Sequence, residues 1–356
     1  MHLHFRGTIL PEGDVRDLWV VGDRLTFDRP SGESVTVTDR GFMLPGLVDV
    51  HTHPGGSADG GFDPGVFARE CADHVAAGVT AVRFPGLAGA VPEESRADPA
   101  LPRMVRAGAW LAWSGLSSHA GFHTVVDDLP AAAVEQARAN DGWCKFMGDW
   151  DFEADPVPLD LMKAVAHAVH EAGGRVAVHC QSAAGSLNAA LAGVDSIEHG
   201  MGMPEEAVAA LATGGGAYVP TLTAFAQSAP RARARGTERS KLWLRGYEAM
   251  VLRARDAHEA GVTVLAGTDS APFGNVAEEV ACLIRAGLPA GAAIGAASWT
   301  ARRWLGLPGL AEGGLADLVV YAADPRAEPE VLRHPLHVVL RGRRTVTRVP
   351  AAGTEE

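Results

Sequence analysis

Four histidines, one aspartate and one lysine of this 356-residue chain stand where short apolar runs stop. Gly46-Leu-Val-Asp-Val-His51-Thr-His53 ends in two histidines two residues apart, a period that points both imidazoles to one side of an extended chain. Later runs end in Trp143-Cys-Lys145, Val176-Ala-Val-His179, Ser196-Ile-Glu-His199 and Leu265-Ala-Gly-Thr-Asp269. Imidazole nitrogens and a carboxylate are donors for a divalent metal. Histidine fills only 14 of 356 positions, so four at such ends point to a ligand set rather than to unrelated polar termini. Lysine is rarer still, with only Lys145, Lys163 and Lys241. An ammonium would repel metal, but a buried lysine tends toward its neutral amine. That amine can add carbon dioxide to give an N-carboxylate, an anionic two-oxygen bridge between two metals.

These donors meet only if the fold gathers the ends of the runs. Apolar runs starting near Leu47, Val79, Met104, Trp143, Arg175, Ser196, Ala217 and Thr263 alternate with helical patterns, the signature of a parallel sheet in an α/β protein. Asp63-Pro64 caps and opens one helix that Gly78 closes, and Pro158 opens another that Gly173-Gly174 closes. Eight such units over about 260 residues match a (β/α)8 TIM barrel, whose active sites lie at the C-terminal ends of the strands. A doubly wound sheet is the rival, but no Gly-x-Gly-x-x-Gly or P-loop follows the first strand. The first and last 45 residues alternate apolar and polar positions between turn residues, and read as short antiparallel strands bracketing the barrel.

The stretches Phe42-Met-Leu-Pro-Gly-Leu-Val-Asp-Val-His-Thr-His, Gly193-Val-Asp-Ser-Ile-Glu-His-Gly, Ala266-Gly-Thr-Asp-Ser and Ala316-Asp-Leu-Val-Val-Tyr resemble the amidohydrolase superfamily from end to end. The similarity is to its imidazolonepropionase-like and prolidase-like (Xaa-Arg dipeptidase-like) branch with a carboxylated lysine. It implies a metal-dependent barrel over residues 46–314 and a small composite β-sandwich from residues 1–45 and 315–350. It also implies that His51, His53 and Asp269 hold one divalent ion and His179 and His199 a second. Carboxylated Lys145 and a hydroxide would bridge them, with Asp269 moving the proton from hydroxide to leaving amine. The nitrogen-rich set favours zinc, with manganese, cobalt and iron open. Arg83, His119 and Tyr218 are the expected substrate contacts: His119 matches the branch's strand-three loop histidine, and the other two sit near strand ends. The chain departs from the branch at Phe84-Pro85, where a carboxylate commonly follows the arginine, and at Cys180-Gln181, where an aromatic is frequent. Family substrates therefore do not transfer directly.

The implied activity is hydrolysis of an amide or peptide-like C–N bond in a small substrate, a dipeptide or N-acyl amino acid. Cyclic-amide or lactone hydrolysis is a neighbouring reading. A mononuclear deaminase is the runner-up, and it needs no lysine at position 145. A structural relative without chemistry would be expected to have lost a ligand. His167 and His170 do not form His-Glu-x-x-His and, like His74 and His258, read as solvated outer faces of helices. Arg231, Arg233 and Arg235 fall after strand seven, where such barrels place a lid, and read as a solvated loop. A net charge of −12 disfavours nucleic acid and anionic membranes, leaving a small molecule as the expected partner and assembly with identical chains open. Four scattered cysteines, no apolar run of about 18 residues and no signal-like N-terminus make a reducing cytoplasm the expected home.

Overall fold

The computed structural model describes residues 1–56 and 61–347. The chain begins with β1 (His2–Ile9), β2 (Asp14–Val21), β3 (Arg24–Thr26), β4 (Ser34–Thr38) and β5 (Phe42–Pro45). Ten strands follow: β6 (Leu47–Asp49), β7 (Val79–Phe84), β8 (Arg103–Arg106), β9 (Trp110–Trp113), β10 (Thr124–Val126), β11 (Trp143–Met147), β12 (Arg175–Cys180), β13 (Ser196–His199), β14 (Ala217–Val219) and β15 (Thr263–Val264). The chain returns through β16 (Leu318–Tyr321), β17 (His337–Leu340) and β18 (Arg343–Thr347).

The two terminal segments meet where β5 pairs antiparallel with β16, Met43 opposite Val320. Alternation along the strands turns Phe5, Ile9, Leu18, Val20, Met43, Leu318 and Val320 into one buried cluster. The expectation of purely antiparallel strands fails at β1. Its one edge pairs antiparallel with β2, but its other edge runs parallel to β4 and then β5. The β2–β3 hairpin reverses the chain, so β4 re-enters along the free edge of β1 in the same direction. Residues 348–350 of the expected C-terminal segment lie outside the described residues.

The middle of the chain is a (β/α)8 barrel, with all eight strands starting within a residue of their expected positions. Its third strand is broken: β8 pairs parallel with β7 and β9 with β11, with Ala107-Gly108-Ala109 between. The N–H of Val50 donates to Ala266 O (3.0 Å) and that of Asp269 to His51 O (2.8 Å), closing the first strand against the last. Gly267 permits this approach, because a Cβ there would lie 2.5 Å from that of His51.

Helices cover the barrel as their patterns require. The Pro64–Ala76 helix is capped by Asp63, whose carboxylate accepts from Gly65 and Val66 N–H, and the Leu159–Glu171 helix buries Met162, Val165, Ala166 and Val169. His167 and His170 are exposed, as expected. His74 is not: it is fully buried with Nε2 3.1 Å from Thr52 Oγ1, and burial pushes its pKa down to about 3. His258 is half-buried. The arginines at 231, 233 and 235 are exposed, but they ride on the Leu222–Arg235 helix rather than on a loop.

Asp317 ties the sandwich to the barrel. It is 1% exposed, and its carboxylate accepts from Arg103 Nε (2.6 Å) on β8 and from fully buried Arg302 (3.2 Å). Burial raises its pKa, but the Arg103 hydrogen bond and the two guanidinium charges outweigh that and hold it below the usual range. Asp317→Ala should cost about 3–5 kcal/mol in urea unfolding, because it leaves the buried Arg302 and the half-buried Arg103 unpaired. The carboxylate's contribution is present above the ordinary carboxylate pKa and is lost as the pH falls through the lowered value. The difference from wild type should therefore be full near neutrality and narrow only in acid.

Candidate metal centre

Every expected donor arrives at the same end of the barrel. His51 and His53 follow β6, Lys145 lies in β11, His179 in β12, His199 ends β13 and Asp269 follows β15. All six line one cavity of about 620 Å³. His51, His199 and Asp269 form the tightest group, with one donor atom from each within 4.8 Å of the others. His53 Nε2 stands 3.3 Å from Asp269 Oδ1, and the ring of His179 lies 4.6 Å from that of His199.

The imidazoles are aimed by what holds their other nitrogen. His51 Nδ1 is 2.7 Å from Glu198 Oε2, His53 Nδ1 is 2.7 Å from Gly86 O, and His199 Nδ1 is 2.7 Å from Thr221 Oγ1. Such partners fix ring orientation and leave the opposite nitrogen for a metal. Nε2 of His179 is buried with no hydrogen-bond partner among the described residues, the kind of vacancy a ligand nitrogen leaves. The donor set therefore fits a divalent cation.

Electrostatics agree with ligation by neutral imidazoles. Burial pushes His51 down to about 4 and His199 to about 3, and holds His179 well below its ordinary value, so all three are uncharged near neutrality. Burial acts against the charged form of Asp269, but His51, His53 and His199 hold its carboxyl well below the usual range. Lys145 is 1% exposed, and burial drops its pKa to about 8 against the pull of Glu198 and Asp269. No carboxylate oxygen lies within 4.0 Å of its ammonium nitrogen among the described residues, so no ordinary salt bridge accounts for its burial there.

The expected substrate contacts are not brought to the cavity. Arg83 is fully buried: Nε donates to Val50 O (2.7 Å), Nη2 to Glu198 Oε1 (2.7 Å), and its guanidinium lies over Trp143 and Trp304. It points inward because Glu198, buried beside it, demands a cation. Tyr218 is equally buried, and its hydroxyl donates to His199 O at 2.8 Å. His119 is exposed outside the cavity lining, its ring 6.4 Å from His123.

Three supporting groups escape a reading that follows strand ends alone. Glu198 accepts from Arg83, from Ser196 Oγ (2.5 Å) and from the side of His51. Asp49 accepts from His51 N–H and from the N–H and hydroxyl of Thr268, joining the first and last barrel strands. Thr221 orients His199 from the left-handed region, φ 50°. Glu198 stands inside the quoted Ser-Ile-Glu-His, but strand neighbours point to opposite faces. The left-handed φ of 68° at His199 turns its ring back to the same side, and nothing in the local sequence announces it.

Residues 42–345 match the Amidohydrolase family. The chain belongs to that family and is a hydrolase acting on carbon–nitrogen bonds. An uncharacterized protein of Mycobacterium tuberculosis is 40% identical over 363 residues, covering 96% of this chain and 95% of that protein. Among solved structures, a Xaa-Pro dipeptidase with bound methionine in its active site superposes with TM-score 0.81 at 23% identity, covering 97% of this chain and all of that one. A prolidase complexed with N-methylphosphonate-L-proline gives TM-score 0.82 at 20% identity, over 98% of this chain and all of that one. No helix among the described residues is long and apolar enough to cross a membrane.

Glu198→Gln keeps the side chain's shape and an acceptor oxygen but removes the charge that pairs Arg83 and orients His51. Metal affinity, read by chelator competition, should fall about 10–100-fold while the folded circular-dichroism spectrum is retained.

Proposed function

We propose that the chain is a binuclear metal-dependent amidohydrolase that cleaves an amide or peptide-like C–N bond in a small substrate, a dipeptide or an N-acyl amino acid. The observation that carries this reading is Lys145, buried without an ion-pair partner among the described residues, on the wall of a cavity that also holds four imidazoles and Asp269. A mononuclear deaminase has no use for it. The neutral amine adds carbon dioxide, forming an N–C bond and releasing one proton, and becomes an anionic carboxylate with two oxygens. His51, His53 and Asp269 would hold one divalent ion, His179 and His199 the other, with the carboxylated lysine between them and zinc the best match to nitrogen donors.

Bound there, two divalent ions would lower the pKa of a water molecule and polarise the scissile carbonyl. Asp269 accepts the proton of the attacking water and delivers it to the leaving nitrogen, which without it is a poor leaving group. Glu198 and Thr221 keep the imidazoles neutral-faced toward the reaction, and the barrel's buried strands keep the group rigid. The relatives described as a Xaa-Pro dipeptidase and a prolidase support a substrate of dipeptide size.

Metal analysis of gently purified protein should approach two equivalents per chain. Saturation at one with unimpaired activity would replace the binuclear reading with the mononuclear one. Lys145→Ala should lose bound metal and lower kcat by more than about 100-fold, beyond the loss typical of a residue that only orients a ligand. Partial recovery on adding short carboxylic acids is the expected signature of the missing bridge, and full activity in the variant would remove the carbamate.

A further inference from the structure

Aromatic rings predominate among the side chains around the donor cluster, with Glu70, Gln181 and Ser270 the other polar groups on the cavity wall. Trp110 lies 5.1 Å from the His53 ring and 5.1 Å from Phe122, and Phe122 lies 5.7 Å from Trp150. Trp150 is 5.5 Å from His179, and across the cavity Phe225 stands 5.8 Å from His199. Trp110, Phe122, Trp150 and Phe225 all line the cavity, so a collar of rings surrounds its polar floor. Trp110, Phe122 and Trp150 remain half-buried, with faces open to a ligand.

The collar is braced. Phe225 is stacked on Trp243 at 5.4 Å and 10°, and Trp243 on Tyr247 at 6.1 Å. Under Trp110 lies Gly86, φ 123°, where a Cβ would come within 2.3 Å of the indole nitrogen. Lys145 is the one lysine or arginine among the described residues lining the cavity, and Arg83 is sealed behind Glu198. An anion entering the collar would therefore leave water without gaining a guanidinium, whereas a flat apolar group gains stacking on preformed faces.

We propose that this collar selects the substrate by an aromatic side group and leaves its carboxylate unclamped. The substrate class is N-acyl aromatic amino acids and aromatic dipeptides, with carboxylate-blocked forms accepted as well. The inference rests on the amide-hydrolase reading of the same centre.

The test compares N-acetylphenylalanine, N-acetylalanine and N-acetylphenylalanine dimethylamide with the metal-replete full chain, alongside calorimetric binding of phenylalaninamide and alaninamide. The kcat/KM for the phenylalanine substrate should exceed that for alanine by at least about tenfold, and blocking the carboxylate should change it by less than about threefold. Trp110→Ala and Trp150→Ala should each bring the phenylalanine-to-alanine ratio to within about threefold, mainly through KM, with metal per chain unchanged. The binding preference for phenylalaninamide should fall in parallel. Equal handling of alanine and phenylalanine by the wild type, or a loss above about tenfold on blocking the carboxylate, overturns the inference while amide hydrolysis stands. Selective binding of phenylalaninamide that the tryptophan variants abolish, without turnover of any amide tested, upholds the collar and removes the proposed dipeptide or N-acyl amino acid substrate alone.

Discussion

Three strands of the barrel meet at one carboxylate. Glu198 of β13 accepts from Arg83 of β7 at 2.7 Å, from Ser196 of its own strand, and faces His51 at the end of β6 at 2.7 Å. Glu198 and Arg83 are both fully buried, so loss of either charge leaves the other unpaired away from water. Burial works against ionising Glu198, yet Arg83 and His51 hold its carboxyl well below the usual range. An ion pair taken out of water is a weak source of stability but a strict constraint on geometry. Here it fixes where His51 can be, and His51 in turn touches the strand that brings Asp269.

Strain collects around the same point. Among the described residues, His199, Thr221 and Asp269 are three of only four non-glycine positions with positive φ, and all three follow or end barrel strands at the metal-binding end. Each is held by more than its own backbone. Asp269 N–H is tied to His51 O, and Thr221 is followed by the Leu222–Arg235 helix, whose Leu222 and Thr223 N–H groups donate to Glu279 at 2.8 and 2.7 Å. Glu279 is buried, and burial pushes its pKa up to about 7 although three hydrogen bonds oppose the shift. The barrel thus supplies the rigidity that keeps unfavourable conformations at the ends of its strands.

What could be read before folding follows from this division of labour. The strand starts and the donors were legible because apolar runs have a period and because histidine, aspartate and lysine are conspicuous at their ends. The pairing of β1 with β4 and β5 was not, since direction depends on how a loop returns and not on which residues alternate. Arg83 looked like a substrate contact because it sits near a strand end, but a single carboxylate on the opposite side of the barrel turned it inward. His74 looked solvated from its helix position, yet Thr52 from the chain segment beside His51 and the edge of Phe273 enclose it. Reading these would have required contacts between residues far apart in sequence.

The donors and the collar also differ in what positions them. His179, His199 and Lys145 belong to strands paired on both sides, so backbone hydrogen bonds fix them independently of neighbouring side chains. Trp110 begins β9, but the other three rings of the collar stand outside the barrel strands, Phe122 in the segment before β10, Trp150 beyond the end of β11, and Phe225 in the helix after β14. These are connections, where side chains can change while the sheet stays as it is. A solved relative at 23% identity can therefore share the barrel without sharing the collar, and its ligand cannot be transferred by superposition. The chemistry of the centre belongs to the strands, and the choice of what reaches it belongs to the rings that stand above them.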